Sequence, residues 1–156
     1  MIAGSLAEMM SRHAQAGRLD AIMLRPVRRG AVVPVAGGEV TDAGLVGDHG
    51  RKGPRAVTLL QAEHLDVIAA LLGRPVAAGD LRRNIVICGI NLAALRKGRI
   101  RVGAVVLQVE GPCPPCSRME EVLGHGGYSA VRGHGGWYAS AVTGGAVAVG
   151  DPVVAG

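Results

Sequence analysis

Aromatic side chains are nearly missing from this sequence of 156 residues, which contains no phenylalanine, one tryptophan and two tyrosines. The core must therefore be aliphatic, built from Val, Leu, Ile and Ala. A nucleic-acid-binding protein is also disfavoured, because such proteins stack bases on aromatic side chains, and no helix-turn-helix or zinc-finger spacing occurs. We expect no nucleic-acid partner, although the net charge is +5.

Cysteine is scarce as well, with three residues, and an odd number does not fit the disulfide framework of a secreted protein. Long apolar runs are missing, since the longest mostly apolar stretch, Ala104 to Val109, has only the length of a strand. Residues 1–17 carry Glu8, Arg12 and His13, which fit neither a signal peptide nor a membrane span. We expect a cytoplasmic protein with no membrane partner.

Glycine is abundant: its 25 residues are scattered between valine-rich runs, which predicts tight turns between short strands. Apolar residues recur at helical spacing from Gln61 to Leu72, and Gly73 follows as a C-terminal cap, so this segment is the clearest helix. Shorter helices are predicted from Leu6 to near Gly17 and over Glu120–Leu123. The strand candidates lie in Asp20–Leu24, Ala31–Val35, Thr41–His49, Ala56–Leu60, Asn84–Cys88, Ile100–Val102, Ala104–Val109, Tyr138–Val142 and Ala146–Val149.

These elements predict a mainly β protein with some helix, of the α+β class. Many short strands with glycine turns and one or two flanking helices indicate a small, partly closed β-barrel. A chain of 156 residues fits one domain. We assign residues 1–19 to an N-terminal helical extension and residues 20–156 to the barrel domain.

The most distinctive motif is Gly-Pro-Cys-Pro-Pro-Cys-Ser-Arg at residues 111–118, which follows an apolar strand. Prolines fix φ and remove backbone donors, so they hold the thiols of Cys113 and Cys116 at a defined place. The positive charge of Arg118 favours the thiolate, the form that attacks electrophiles, binds soft metals and carries sulfur. The motif therefore indicates a reactive cysteine.

Other interpretations of these cysteines stay open. They fit a pair of small buried residues in a loop, whereas a thioredoxin-like motif would need a βαβ setting that the strand-rich pattern does not offer. A zinc site would need a second ligand pair, and Cys88 with His125 or His134 has no recognised spacing.

Basic pairs recur along the chain and are compatible with an anionic ligand, although arginine stems also cover apolar surface. The pairs are Arg28-Arg29, Arg51-Lys52 and Arg82-Arg83.

An ordered series of motifs extends from about Asp20 to Val153. It comprises Gly47-Asp48-His49, Gly79-Asp80-Leu81-Arg82-Arg83-Asn84-Ile85, Pro115-Cys116-Ser117-Arg118-Met119, Gly133-x-Gly135-Gly136 and Gly144-Gly145-x-x-x-x-Gly150-Asp151. Together these motifs resemble the MOSC domain, the C-terminal domain of molybdenum cofactor sulfurase. The resemblance implies a β-barrel with a few helices and binding of the molybdenum cofactor, a pterin dithiolene that carries a phosphate.

The resemblance also implies that Cys116 is the functional cysteine and the metal ligand, because the matching thiolate ligates molybdenum in amidoxime-reducing members. In sulfurase-related members a cysteine carries a persulfide, and Cys113 would then resolve it as an internal disulfide. Asp48 and His49 are further catalytic candidates, which orient a polar ligand or move protons. The residues expected to bind the cofactor are Arg51, Arg82 and Arg83 at its phosphate, Asn84 at pterin groups, and Ser117 and Arg118 beside the cysteine.

The motifs fit three functions and leave open whether the protein is an enzyme. In the first, Cys116 ligates molybdenum and N-hydroxylated substrates are reduced with electrons from a partner reductase, since the chain has no flavin, haem or iron–sulfur motif. In the second, the protein is a sulfur carrier or cofactor-delivery module with a persulfide on Cys116 and a sulfur-donor partner. The third is a non-catalytic binding domain.

Overall fold

The computed structural model describes residues 4–156. Strands dominate this part of the chain, with short helices and 3₁₀ turns between them. The strands are β1 (Gly17–Leu24), β2 (Val33–Val35), β3 (Gly37–Thr41), β4 (Gly44–Leu45), β5 (Val57–Gln61), β6 (Ile85–Cys88), β7 (Arg99–Val102), β8 (Val105–Pro112), β9 (Trp137–Thr143), β10 (Gly145–Ala148) and β11 (Pro152–Ala155). The helices are α1 (Leu6–Met10), α2 (Glu63–Leu72), α3 (Ser117–Leu123) and α4 (Gly127–Val131), and the 3₁₀ turns are Ala78–Leu81 and Leu92–Leu95.

Seven strands form a barrel in the order β1, β6, β5, β9, β8, β7 and β11, and β11 pairs with β1 to close the ring. The β5–β6 pair is parallel and the other pairs in the ring are antiparallel. β2 pairs antiparallel with β1, with Ile22 opposite Val35. A second, smaller sheet has the order β10, β3, β4. The predicted small barrel is confirmed, and its closure removes sheet edges that would otherwise attract other strands.

The barrel interior is aliphatic, as the composition predicts. Along β8 the buried positions alternate with more accessible ones, so Val105, Leu107 and Val109 share one side and are fully buried. β5 is buried at every position, because Leu59 belongs to the cluster inside the barrel and Leu60 to the cluster between the barrel and the helices. This central strand therefore fixes the helices relative to the barrel.

The predicted helix over residues 61–72 is confirmed as α2, and Gly73 ends it in a left-handed conformation with φ of 77°. The N-terminal helix is shorter than predicted: α1 ends at Met10, and Gly17 already belongs to β1, where it pairs with Val153. Because its first residues pair with the last strand, β11, β1 begins at Gly17 and not at the predicted Asp20. The helix α4 was not predicted, since glycines typical of turns surround it. No helix within residues 4–156 combines the length and apolar character needed to cross a bilayer.

Gly136, directly before β9, lies against the backbone of Leu59 with φ of +91°. A Cβ here would overlap the Leu59 carbonyl oxygen, whereas at Gly133, with φ of +86°, it would meet no atom of the described residues within 4 Å. We expect Gly133→Ala to lower the free energy of unfolding by about 1–2 kcal/mol through left-handed strain alone. Gly136→Ala should lower it by about 3 kcal/mol or more, because overlap adds to the strain. Urea denaturation measures both losses, and equal values would contradict the close approach at Gly136.

Candidate functional site

The candidate site is built on a buried ion pair between Arg25, which follows β1, and Asp48, in the turn after β4. The Asp48 carboxylate accepts hydrogen bonds from the Arg25 backbone amide (2.6 Å), Nε (3.1 Å) and Nη2 (3.0 Å), and from the Gly50 amide (2.8 Å). The Asp48 side chain is 0% exposed and that of Arg25 is 11% exposed. This two-pronged contact of guanidinium with carboxylate fixes geometry as well as charge.

Asn84, which precedes β6, connects the ion pair to neighbouring strands. Its Nδ2 donates to the Met23 carbonyl and to Asp48 Oδ1, both at 3.0 Å, and its Oδ1 accepts from Arg25 Nη2 at 3.1 Å. The backbone amide of Thr58, in β5, donates to the same oxygen at 3.1 Å. Arg25, Asp48, Asn84 and Thr58 thus form one set of bonds across β1, β5 and β6, which we call the floor network.

Opposing effects set the protonation of Asp48. Burial by itself raises the pKa of this carboxyl, because desolvation disfavours the charged form. The hydrogen bonds and positive charge of Arg25, together with the Gly50 amide, lower it by more, so the pKa lies below its ordinary value. Asp48 is therefore ionised near neutral pH and balances the charge of Arg25.

A cavity of about 780 Å³, here called the main cavity, adjoins the floor network. Five predicted site residues line it together, namely His49, Arg51, Arg83, Cys113 and Cys116. Two others, Asp48 and Asn84, lie in the floor network beneath it. The remaining lining residues are Arg25, Arg28, Gly50, Lys52, Gly53, Pro54, Arg55, Thr58 and Pro114.

Three predicted cofactor-binding residues lie outside the main cavity. Ser117 starts α3 and is exposed, while Arg82 and Arg118 line a separate, smaller cavity. Arg118 Nη2 donates to the Arg29 carbonyl at 3.0 Å, and its Nη1 lies 3.9 Å from the Glu121 carboxylate. The charge of Arg118 is therefore directed to the segment around Arg29 and not to the main cavity.

The main cavity is strongly cationic. Arg83 Nε donates to the Gly135 carbonyl at 2.6 Å, and the guanidinium of Arg55 lies 4.1 Å from the ring centre of Tyr138, so both arginines are held in place. Cations fixed in a partly enclosed cavity attract anionic ligands. Among residues 4–156, six side chains that line the cavity are positively charged and none is acidic; the six are Arg25, Arg28, Arg51, Lys52, Arg55 and Arg83.

The two cysteines of the main cavity have different environments. Cys113 follows β8 and is buried, with its amide donating to the Gly136 carbonyl at 2.8 Å, whereas Cys116, directly before α3, is exposed. Burial raises the pKa of the Cys113 thiol, and the charge of Arg83 and other nearby arginines reverses this only in part. Cys113 is therefore a neutral thiol near neutral pH, and neither cysteine forms a disulfide.

The sequence matches the MOSC domain over residues 12–154. The chain belongs to the MOSC domain family. Its structure is similar to that of YuaD from Bacillus subtilis, with a TM-score of 0.78 and 17% identity, covering 89% of this chain and 94% of that one. It is also similar to YiiM from Geobacillus stearothermophilus (TM-score 0.74, 21% identity, 90% and 75% of the two chains) and YiiM from Escherichia coli (TM-score 0.69, 21% identity, 89% and 69%). No curated protein matches it in sequence.

Sequence reasoning recognised the MOSC domain but missed five residues that line its main cavity: Arg25, Arg28, Lys52, Arg55 and Thr58. Arg28 and Lys52 belong to the recurring basic pairs, so the charge pattern held a signal for them. Arg25 stands between the end of an apolar strand and Pro26, which is an unusual place for a charged side chain. Thr58 lies inside an apolar strand and becomes recognisable only through its hydrogen bonds to Asn84 in the structure.

Asp48→Asn tests the floor network. The change leaves Arg25, whose side chain is 11% exposed, without its counter-charge, so we expect a loss of about 3–5 kcal/mol in the free energy of unfolding at neutral pH. The control is Asp42→Asn, because the side chains of Asp42 and Lys52 are 66% and 78% exposed and such surface pairs contribute about 0–1 kcal/mol. Urea denaturation compares the variants, and similar small losses in both would rule out a buried ion pair.

The pH dependence of unfolding, compared between wild type and Asp48→Asn, tests whether Asp48 is ionised in the folded protein. Because the pKa of Asp48 is lower in the folded protein than in the unfolded chain, its stabilisation is complete above the ordinary aspartate pKa. It is lost as the pH falls through the lowered folded-state pKa. The advantage of wild type over Asp48→Asn should therefore shrink on acidification, and a constant difference would be inconsistent with an ionised Asp48.

Proposed function

We propose that this MOSC domain binds the molybdenum cofactor in the main cavity, with Cys116 as the protein ligand of molybdenum, and reduces N-hydroxylated substrates. The electrons come from a separate reductase, because no flavin, haem or iron–sulfur motif is recognised in the sequence. The observation that carries the proposal is the exposed Cys116 thiol in a large cationic cavity.

The main cavity fits this cofactor in charge, donor chemistry and size. Guanidinium groups such as those of Arg28, Arg51 and Arg83 bind phosphate through paired hydrogen bonds. The cofactor holds its metal through its own dithiolene sulfurs, so one soft thiolate from the protein suits the metal. The volume of about 780 Å³ lies within the range of about 300–1,000 Å³ that is usual for cofactor sites.

When bound, the cofactor supplies the redox chemistry, while the protein supplies binding, orientation and proton transfer. Cys116 binds the metal through its thiolate, and the arginines of the main cavity bind the phosphate. His49, an exposed imidazole in the cavity lining, exchanges a proton with the substrate. Cys113 contributes a neutral thiol beside the site.

Asp48 and Asn84 act in this proposal as positioning residues. Both Nδ2 hydrogens of Asn84 are used by Met23 and Asp48, and the Asp48 carboxylate is used by Arg25 and Gly50. These two side chains are therefore occupied within the protein. Their effect on the ligand passes through Arg25, which belongs to both the floor network and the cavity lining.

Metal and pterin content test the proposal. The protein is purified from cells that make the cofactor, as wild type, as Cys116→Ser, and as the control Cys88→Ser, whose thiol lies in β6 outside the main cavity. We expect stoichiometric molybdenum and pterin in wild type and in Cys88→Ser. Cys116→Ser should lose molybdenum, because serine removes the thiolate with little change in volume.

Each failure in this experiment removes a different part of the proposal. Wild type without molybdenum or pterin would exclude cofactor binding in the resting protein. Unchanged molybdenum in Cys116→Ser would exclude ligation by this thiolate. Loaded wild type that fails to reduce N-hydroxylated substrates with a chemical electron donor would exclude the reductase activity.

Sulfur transfer is the second candidate function, and two free cysteines in one cavity favour it. If Cys116 carries a persulfide, the Cys113 thiolate can attack the Cys116 sulfur, which forms a disulfide between the two residues and releases hydrosulfide. Burial, by raising the pKa of Cys113, slows this step and preserves the persulfide.

Mass spectrometry of the intact protein, without reductant and after exposure to polysulfide, tests sulfur transfer. We expect wild type to gain one sulfur atom and Cys116→Ser to gain none. Cys113→Ser should keep the added sulfur longer than wild type, because the resolving thiol is gone. Equal sulfur uptake by Cys116→Ser would refute the carrier function.

A further inference from the structure

The smaller cavity, of about 140 Å³, brings Arg82 and Arg118 together. Arg82 directly follows the 3₁₀ turn Ala78–Leu81, and Arg118 lies in the first turn of α3. Within residues 4–156, this cavity and the main cavity share no lining residue. We call it the arginine cavity; the proposed function does not use it.

Each arginine of this cavity has a buried nitrogen that finds no partner among the described residues, namely Nη1 of Arg82 and Nε of Arg118. Each also has a nitrogen that is bonded, since Arg82 Nη2 donates to the Val27 carbonyl at 3.2 Å and Arg118 Nη2 to the Arg29 carbonyl at 3.0 Å. Buried N–H groups in proteins normally have an acceptor. The two remaining donors have almost no accessible surface and no acceptor, so they leave the positive charge beside the cavity without full compensation.

The charges around the arginine cavity favour an anion as that acceptor. Burial and the positive charges of Arg25 and Arg118 lower the pKa of Arg82, while the charge of Asp48 raises it. Asp80 also lines the cavity, and its carboxylate accepts a hydrogen bond from the Ala77 amide at 3.1 Å. The carboxylate of Glu121 lies 3.9 Å from Arg118 on the exposed side. Two neighbouring guanidinium groups thus repel each other with only partial compensation.

We propose that the arginine cavity binds one tetrahedral oxyanion, phosphate or sulfate, between the guanidinium groups of Arg82 and Arg118, which both line it. Guanidinium groups match the oxygens of such an ion in geometry and charge. A volume of about 140 Å³ admits an ion of this size and is too small for a nucleotide. The site is independent of the cofactor, so failure of the proposed function would leave this inference standing.

The oxyanion also acts on the segment that joins the two cavities. Arg82 and Arg118 hold the carbonyls of Val27 and Arg29, and Arg28, between these two residues, lines the main cavity. An anion that offsets the repulsion between the two guanidinium groups stabilises both contacts. Oxyanion binding thereby fixes the backbone that carries Arg28.

An NMR titration of the full chain with inorganic phosphate distinguishes binding in the arginine cavity from binding in the main cavity. The amides of Gly30 and Gly79 report on the arginine cavity, and those of Gly50 and Gly53 on the main cavity. We expect saturable shifts of Gly30 and Gly79 in wild type. Arg118→Gln should weaken phosphate binding at these two reporters at least about tenfold, because a charge-assisted hydrogen bond is lost, and should change the Gly50 and Gly53 titrations much less.

Arg51→Gln is the matched control, since Arg51 lines the main cavity and does not line the arginine cavity. It should weaken the phosphate response of Gly50 and Gly53 and spare that of the arginine-cavity reporters. Arg82→Lys, which keeps the charge and removes Nη1, serves as the second site variant if Arg118→Gln does not fold. It should show the same loss of about tenfold or more at the arginine-cavity reporters.

Parallel titrations with sulfate and with chloride distinguish specific binding of an oxyanion from general screening by salt. Saturable shifts of Gly30 and Gly79 with phosphate or with sulfate support the site and identify the ion that binds more tightly. Equal shifts with chloride at the same ionic strength would overturn it, as would phosphate shifts that survive Arg118→Gln and Arg82→Lys. A loss confined to Gly50 and Gly53 in Arg82→Lys would assign Arg82 to the main cavity and also overturn the proposal.

Discussion

The Asp48 carboxylate has no exposed side-chain surface, so it needs a cation and hydrogen-bond donors inside the protein, and the end of the barrel that carries the site is organised around supplying them. Arg25 brings the charge and two side-chain donors from the end of β1. Asn84 adds a donor from the start of β6 and reaches Thr58 of β5 through its carbonyl oxygen. Because these groups are occupied by one another, ligand binding in the proposed function falls to the cations around them.

A cavity lined by several cations must hold them near one another despite their repulsion. Arg25 faces Asp48, whereas Arg55 lies on the ring of Tyr138 and Arg83 donates to a backbone carbonyl. A ring face and a carbonyl attract a guanidinium without carrying a full negative charge. Arg55 and Arg83 are therefore fixed in position while their charges remain available. The result is a positive potential that one buried carboxylate does not cancel, which is the electrostatic condition for an anionic ligand.

Sequence reasoning succeeded where the relevant residues are close along the chain. Cys113 and Cys116 share one proline-rich loop, and they do line one cavity. The small barrel was predictable for the same reason, because glycine turns and short apolar strands are local features of the sequence. Arg25 stands 23 positions from Asp48 and 59 from Asn84, so their contacts arise from strand pairing that one sequence does not display. The start of β1 was misplaced for the same reason, since its first residues are held by the last strand.

The adjacent residues Arg82 and Arg83 show the limit of motif-based assignment. Arg82 has φ of 55°, a left-handed conformation that is uncommon without glycine, and the chain changes direction there. Arg83 consequently joins Cys113 in the main cavity, and Arg82 joins Arg118 in the arginine cavity. A motif that contains both arginines helps to identify the family, yet it does not indicate which cavity each side chain lines. That distribution is a property of the folded backbone, and it decides which of the two cavities each positive charge lines.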